Sequence, residues 1–379
     1  MYDLLVAGGT VVDPDQGLNQ RMDVAVSDGR VSAVESQIDT GLADRTVDAS
    51  GLIVTPGLVD LHVHIYDGVS HYGIAADEHV LRSGVTTAVD AGSAGASTFS
   101  GLRRYIIDVT ETRLLAFLNI SGMGMISQQV GELEDIRWAD PAAAIKVCED
   151  NRDVIVGIKI RVTRNLAGPN VLPALVKARE AADAVGLPIM VHPSDPGGCS
   201  LDDVLSHLKP GDIVTHCFHG KAEGIIGGDG RVRESVKRAV DQGVLLDVGH
   251  GQGSFDFDVA KRALAEGVVP DTISSDLHVY NLHGPVFDLA TTVSKFLLLG
   301  LDLPDALRRC TAAPAEIMGM KSRIGTLAPG AEADMAIFEL TEGPHTFVDS
   351  EGKTLRGDRR LIPTKVIKGG REFETVAPA

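Results

Sequence analysis

The segment GLIVTPGLVDLHVHIYDG, residues 51 to 68, runs an apolar stretch into two histidines one residue apart and then breaks at glycine. Side chains at i and i+2 of a strand share a face, so a strand over Leu58 to Ile65 points Asp60, His62 and His64 the same way. Two imidazoles side by side at a strand end suggest a metal; the alternative is a pair of ordinary hydrogen-bonded histidines. What the rest of the chain places beside them decides between the two.

Downstream of this segment, apolar strand-like runs alternate with helix-length segments such as PALVKAREAADAVG (173–186) and RESVKRAVDQG (233–243). Eight strand candidates can be counted: LVDLHVH, GVTTAVDAG, RLLAFLNISG, DVIVGIKI, LPIMVHPS, DIVTHCF, GVLLDVGH and DTISSDL. Their recurrence at βα-unit intervals predicts an α/β fold, a (β/α)8 TIM barrel over residues 56–322. A doubly wound sheet of eight strands is the competing architecture, but it would gather its functional residues near one switch point. Here they fall at the ends of many strands.

The two ends of the chain have a different texture. Residues 1–55 read as short strands joined by turns, with Asp28-Gly29 as a tight-turn pair, and residues 323–379 return to the same turn-rich pattern. Both are expected to combine into one small β-sandwich domain.

Bulk properties narrow the function class. Lys and Arg total 35 against 52 Asp and Glu, a formal net charge of -17 that opposes binding to nucleic acid or to an anionic membrane. The N-terminal text has no basic segment followed by an apolar run, and the four cysteines, Cys148, Cys199, Cys217 and Cys310, form no CxxC pair. These features predict a cytoplasmic protein with reduced thiols, a small-molecule substrate and, as an option, a homo-oligomer.

Five strand ends carry groups able to bind metals or move protons: His62 and His64 on the first, Lys159 on the fourth, His192 on the fifth, His216 on the sixth and Asp276 on the eighth. A barrel gathers its chemistry at the C-terminal face, so these six converge in the predicted fold. Lysine is the odd member, since an ammonium repels a cation. Alternation in DVIVGIKI turns Lys159 inward; burial would lower its pKa, and the neutral amine can take up carbon dioxide as a carbamate able to bridge two metals. The competing reading pairs Lys159 with Asp60 or Asp276. With the carbamate as bridge, one divalent ion would take His62, His64 and Asp276 and the other His192 and His216, a donor set that suits Zn2+ and also Mn2+, Fe2+ or Co2+. Two such ions can hold a bridging hydroxide, with Asp276 shuttling its proton. Hydrolysis is the chemistry implied.

These residues resemble the amidohydrolase superfamily, of the binuclear type that includes dihydroorotase, hydantoinase and the amidohydrolase/deacetylase group. PGLVDLHVH, Lys159 in VGIKI, His192 in IMVHPS, His216 in IVTHCF, Asp276 in SSDLH and the closing GTLAPGAEADMAIFEL carry the likeness along essentially the whole chain. Dihydroorotases continue HxH with one residue and then an arginine that grips the substrate carboxylate; Ile65 and Tyr66 stand here instead. The resemblance therefore implies a deacetylase-like hydrolase acting on an N-acyl amino acid or acyloxy acid, ahead of a cyclic amide hydrolase or a mononuclear deaminase. Candidates for holding a carboxylate-bearing substrate are Tyr66, Arg161, Arg164 and His278. Gly-rich text after strands one, seven and eight (YDGVSHYG, GHGQGSFD, HVYNLHGP) is expected to shape the pocket, and His219 competes with His216 as the sixth-strand ligand.

Overall fold

Short apolar runs in the N-terminal text, buried in blocks along β1, β2 and β5, build five strands: β1 (Leu4–Asp13), β2 (Leu18–Ser27), β3 (Arg30–Glu35), β4 (Thr46–Asp48) and β5 (Ile53–Pro56). Asp28 and Gly29 both take positive φ (52° and 69°) in the two-residue turn joining β2 to β3, as a twisted hairpin requires. The computed structural model describes residues 1–376; the last three residues of the expected C-terminal segment, 377–379, lie outside the described residues.

Across Gly57 the chain enters the parallel sheet. Seven strands, β6 (Leu58–Val63), β7 (Val85–Gly95), β8 (Arg113–Asn119), β9 (Ile155–Val162), β10 (Ile189–Pro193), β11 (Ile213–Val214) and β12 (Leu245–Leu246), pair all-parallel in sequence order. Helices lie between them, among them Pro141–Asp150, Val171–Val185 and Glu234–Asp241, and Phe257–Ala265 follows β12. Residues 271–277, expected as an eighth strand, form no ladder but make single parallel bridges at both sheet edges, Asp247 with Thr272 and Val63 with Leu277. Hydrogen bonds complete the circuit: Val248 N–H donates to Thr272 O, Asp276 N–H to His62 O, and His64 N–H to Leu277 O. The sheet is curled until its first and last strands share a neighbour. A single apolar core spans the sheet interior and the surrounding helices.

After the last helix the chain returns to the first sheet through β13 (Met335–Val348), β14 (Thr354–Lys368) and β15 (Arg371–Glu374), giving the order β15-β14-β13-β5-β1-β2-β3 with β4 on β1. Where a small β-sandwich is expected, the strands form one sheet hydrogen-bonded continuously through all eight. This sheet closes over its own apolar core, which holds Val6, Val24, Val54, Met335 and Ile367. Buried Asp13 ties the two ends of the chain together by accepting from Thr326 Oγ1 and the Leu327 amide. Among the described residues no helix is long and apolar enough to cross a membrane.

The β13–β14 hairpin reaches past its own sheet. Its tip sits on the segment after β12: Ser350 N–H donates to Phe255 O (2.9 Å), Ser350 Oγ to Gly251 O (3.0 Å), and Asp349 accepts from the Phe257 amide (3.0 Å).

Candidate functional site

The C-terminal ends of the parallel strands open on a cavity of about 480 Å³ lined by His62, His64, Lys159, His192, His216 and Asp276. Five of the six are buried and His192 is half-buried. His216, just past β11, and Asp276, between the two bridges of residues 271–277, both hold positive φ (60° and 51°), a strained conformation for residues with side chains.

Hydrogen bonds at the rear of the imidazoles set their tautomers. Thr215 Oγ1 donates to Asp247 Oδ2 (2.7 Å) and so must accept from His62 Nδ1 (2.9 Å). Asp247 is itself held by Thr272 and Ser274 hydroxyls at 2.6 and 2.8 Å. The Nδ1 of His216 donates to the Gly249 carbonyl (2.6 Å), which can only accept. Both rings therefore turn a bare Nε2 lone pair to the front. His64 meets Ser93 Oγ through its Nδ1 (2.9 Å).

In front, one carboxylate oxygen of Asp276 lies 3.3 Å from His62 Nε2 and 3.1 Å from His64 Nε2. His62, His216 and Asp276 offer ligand atoms all within 4.8 Å of one another. The His62 lone pair thus faces a carboxylate acceptor across a gap that calls for a positive centre. Burial, with the neighbouring cations, holds His62, His192 and His216 well below the ordinary histidine pKa and His64 at about 3, so the rings are neutral donors. Desolvation raises Asp276 to about 6, against the pull of His278 and Lys159. These residues fit a divalent metal.

Lys159 Nζ sits 3.4 Å from His62 Nε2 and 3.4 Å from Met190 Sδ, fully buried and with no carboxylate within ion-pair distance among the described residues. Neither alternative pairing occurs: Asp60 instead accepts from the Ser275 amide and hydroxyl. Burial lowers the Lys159 amine to about 8, offset in part by Asp276 and Asp247. A neutral amine is therefore accessible near neutral pH.

Of the four residues expected to hold substrate, two line the cavity. His278 does, with its pKa lowered to about 4 by burial. Arg161 does too, but its guanidinium is engaged by buried Glu132 and by Tyr72 Oη (3.3 Å). Tyr66 turns the other way and donates to Thr98 O (2.9 Å), because β6 ends at Val63 and the period-two alternation does not carry on past His64. Arg164 is exposed and 3.8 Å from Asp195, outside the cavity lining. His219 also stays behind the wall, where its Nδ1 accepts from the Lys221 amide. Sequence reasoning misses Tyr72, Gln252 and Tyr280, although each lies in one of the Gly-rich segments expected to shape the pocket, and Lys221, for which no signal stands out.

Profile comparison matches the amidohydrolase family over residues 53–202 and 251–372. The chain belongs to that family. It is 36% identical over 345 residues to a deacetylase of Agrobacterium fabrum, covering 90% of this chain and 84% of that protein. A deacetylase of Enterococcus faecalis is 33% identical over 377 residues, 98% of this chain and 99% of that one. Among solved structures, that of an adenine deaminase superposes with TM-score 0.92 at 32% identity (99% of this chain, 100% of that one), and that of a dihydroorotase with TM-score 0.91 at 34% identity (100% and 99%). Members of this family generally use divalent metals, and the chain is a hydrolase acting on amide bonds.

Proposed function

We propose that this amidohydrolase removes an acyl group from an amide or ester, working on N-acyl amino acids or acyloxy acids with two zinc ions. The observation that carries this reading is the His62 lone pair set opposite Asp276, beside a buried Lys159 that has no carboxylate at ion-pair distance among the described residues. In this reading His62, His64 and Asp276 would hold one ion and His192 and His216 the other, with Lys159 as a further anionic ligand once its neutral amine has added to carbon dioxide, losing one proton, to give a carbamate. Divalent ions bound there would acidify a water and polarise the acyl carbonyl.

The chain's own groups supply the rest. Asp276 takes a proton from the attacking water on its carboxylate and returns it to the leaving nitrogen or oxygen. Thr215 and Gly249 keep the Nε2 atoms of His62 and His216 forward throughout. We take the curled parallel sheet as a (β/α)8 barrel over residues 56–322, the segments 1–55 and 323–379 as its companion domain, and the cytoplasm as its place of work.

Metal content per chain, measured by mass spectrometry on protein grown with added zinc, tests the reading. About two ions are expected in the parent protein, with a clear loss in Lys159→Ala. One ion, unaffected by the substitution, would move the assignment to a mononuclear deaminase; one of the structural neighbours is an adenine deaminase by name.

A further inference from the structure

Within the cavity the positive charges are unevenly compensated. Lys159 belongs to the metal-ligand cluster, and Arg161 is neutralised by buried Glu132. Lys221, in the segment after β11, is left over: it lines the same cavity, is exposed toward it, and has neither an ion pair nor a side-chain hydrogen bond among the described residues. Its Nζ lies over Gly253, 3.6 Å from where a Cβ would stand, so the absence of a side chain there leaves the ammonium free on its cavity side. Glu351 and Asp276 are near enough to act on it electrostatically but not to pair with it.

We infer that Lys221 is the anion-binding group of this site and that the part of the substrate remaining after acyl removal carries a carboxylate. The inference rests on the acyl-hydrolase reading and deepens it. A single uncompensated ammonium matches a monoanion, and as a point charge without the fork of arginine it fixes the ligand's charge more strongly than its orientation. In a chain of net charge -17, a cavity presenting one free cation draws anionic substrates locally, against the overall field. Neither arginine proposed from sequence can do this, since one is already paired inside the wall and the other lies outside it.

Zinc-loaded full-length parent and Lys221→Met are to be compared on N-acetyl-methionine and on its carboxamide, near-isosteric compounds of which only the first is an anion. The parent should favour the carboxylate in kcat/KM, and the substitution should reduce that preference by about tenfold to a hundredfold, the range for a hydrogen bond to a charged group. Lys221→Arg, which keeps the charge, should restore most of it. An unchanged preference in Lys221→Met overturns the inference. Turnover of neither compound removes the acyl-hydrolase reading, and Lys221 is then judged by calorimetric binding of N-acetyl-methionine: weaker binding by Lys221→Met than by the parent supports the anion site, and equal binding overturns it.

Discussion

Lys295 shows at the residue scale how much of the site is secured from behind. It is fully buried on the helix Leu289–Leu298, and its Nζ donates to Pro285 O (2.7 Å) and contacts His250 Nε2 (2.7 Å). His250 follows Gly249, the residue that orients His216. Burial lowers the Lys295 pKa to about 7, against the pull of Asp349 and Asp288. Because the folded value lies below the unfolded one, the unfolded chain binds more protons between about pH 7 and pH 10.5, and this residue's contribution to stability rises with pH across that window. The melting temperature of the parent relative to Lys295→Met should therefore climb from pH 7 to pH 9.5, reporting a change of up to a few kcal/mol. A flat difference would mean that the buried amine keeps its ordinary pKa.

Strand ends and the turns after them make the site at the element scale. Gly251 has φ +56°, and a Cβ there would stand 2.3 Å from Asp276 Oδ2. Gly251→Ala should displace Asp276, lowering turnover by about tenfold or more at a stability cost of about 1 to 3 kcal/mol. Steady-state kinetics and thermal melts on one preparation separate the two effects. The elements also explain what the sequence could and could not disclose. His62 and His64 were legible because period-two alternation holds through β6 and one residue past its end, and Lys159 because Val156 and Ile158 lie on the strand face opposite to its own side chain. Beyond a strand end that rule lapses, which is why Tyr66 misled and Tyr72, six residues on, went unnoticed. The eighth segment could be read from its apolar text, but its two single bridges in place of a ladder could not. Lys221 lies in a loop whose path depends on neighbours far away in sequence, so no local pattern marked it. The terminal strands were recognisable as a unit from their matching texture. Their joining into one continuous sheet depends on long-range pairings such as β13 with β5, which alternation cannot specify.

For the whole molecule, metal and fold should be coupled. The candidate ligands come from segments between residues 62 and 276, so an ion that bound only their folded arrangement would stabilise the entire chain by mass action, about 2.7 kcal/mol at a free concentration one hundred times Kd. Chelation should lower the melting temperature by several degrees and zinc should restore it; a melting curve indifferent to chelator would show that these side chains hold no ion in solution.

The hairpin tip at Asp349–Ser350, seated on Gly251, Phe255 and Phe257, carries a consequence for how such proteins diversify. The segment it grips supplies Gln252, Gly253 and Ser254 to the cavity. Residues 349 and 350 thus help set the shape of a pocket that they do not line. Recombination that joined this central sheet to the terminal strands of a relative would preserve every candidate metal ligand and still inherit a foreign mould for one wall, so the two parts of the gene are expected to drift in step.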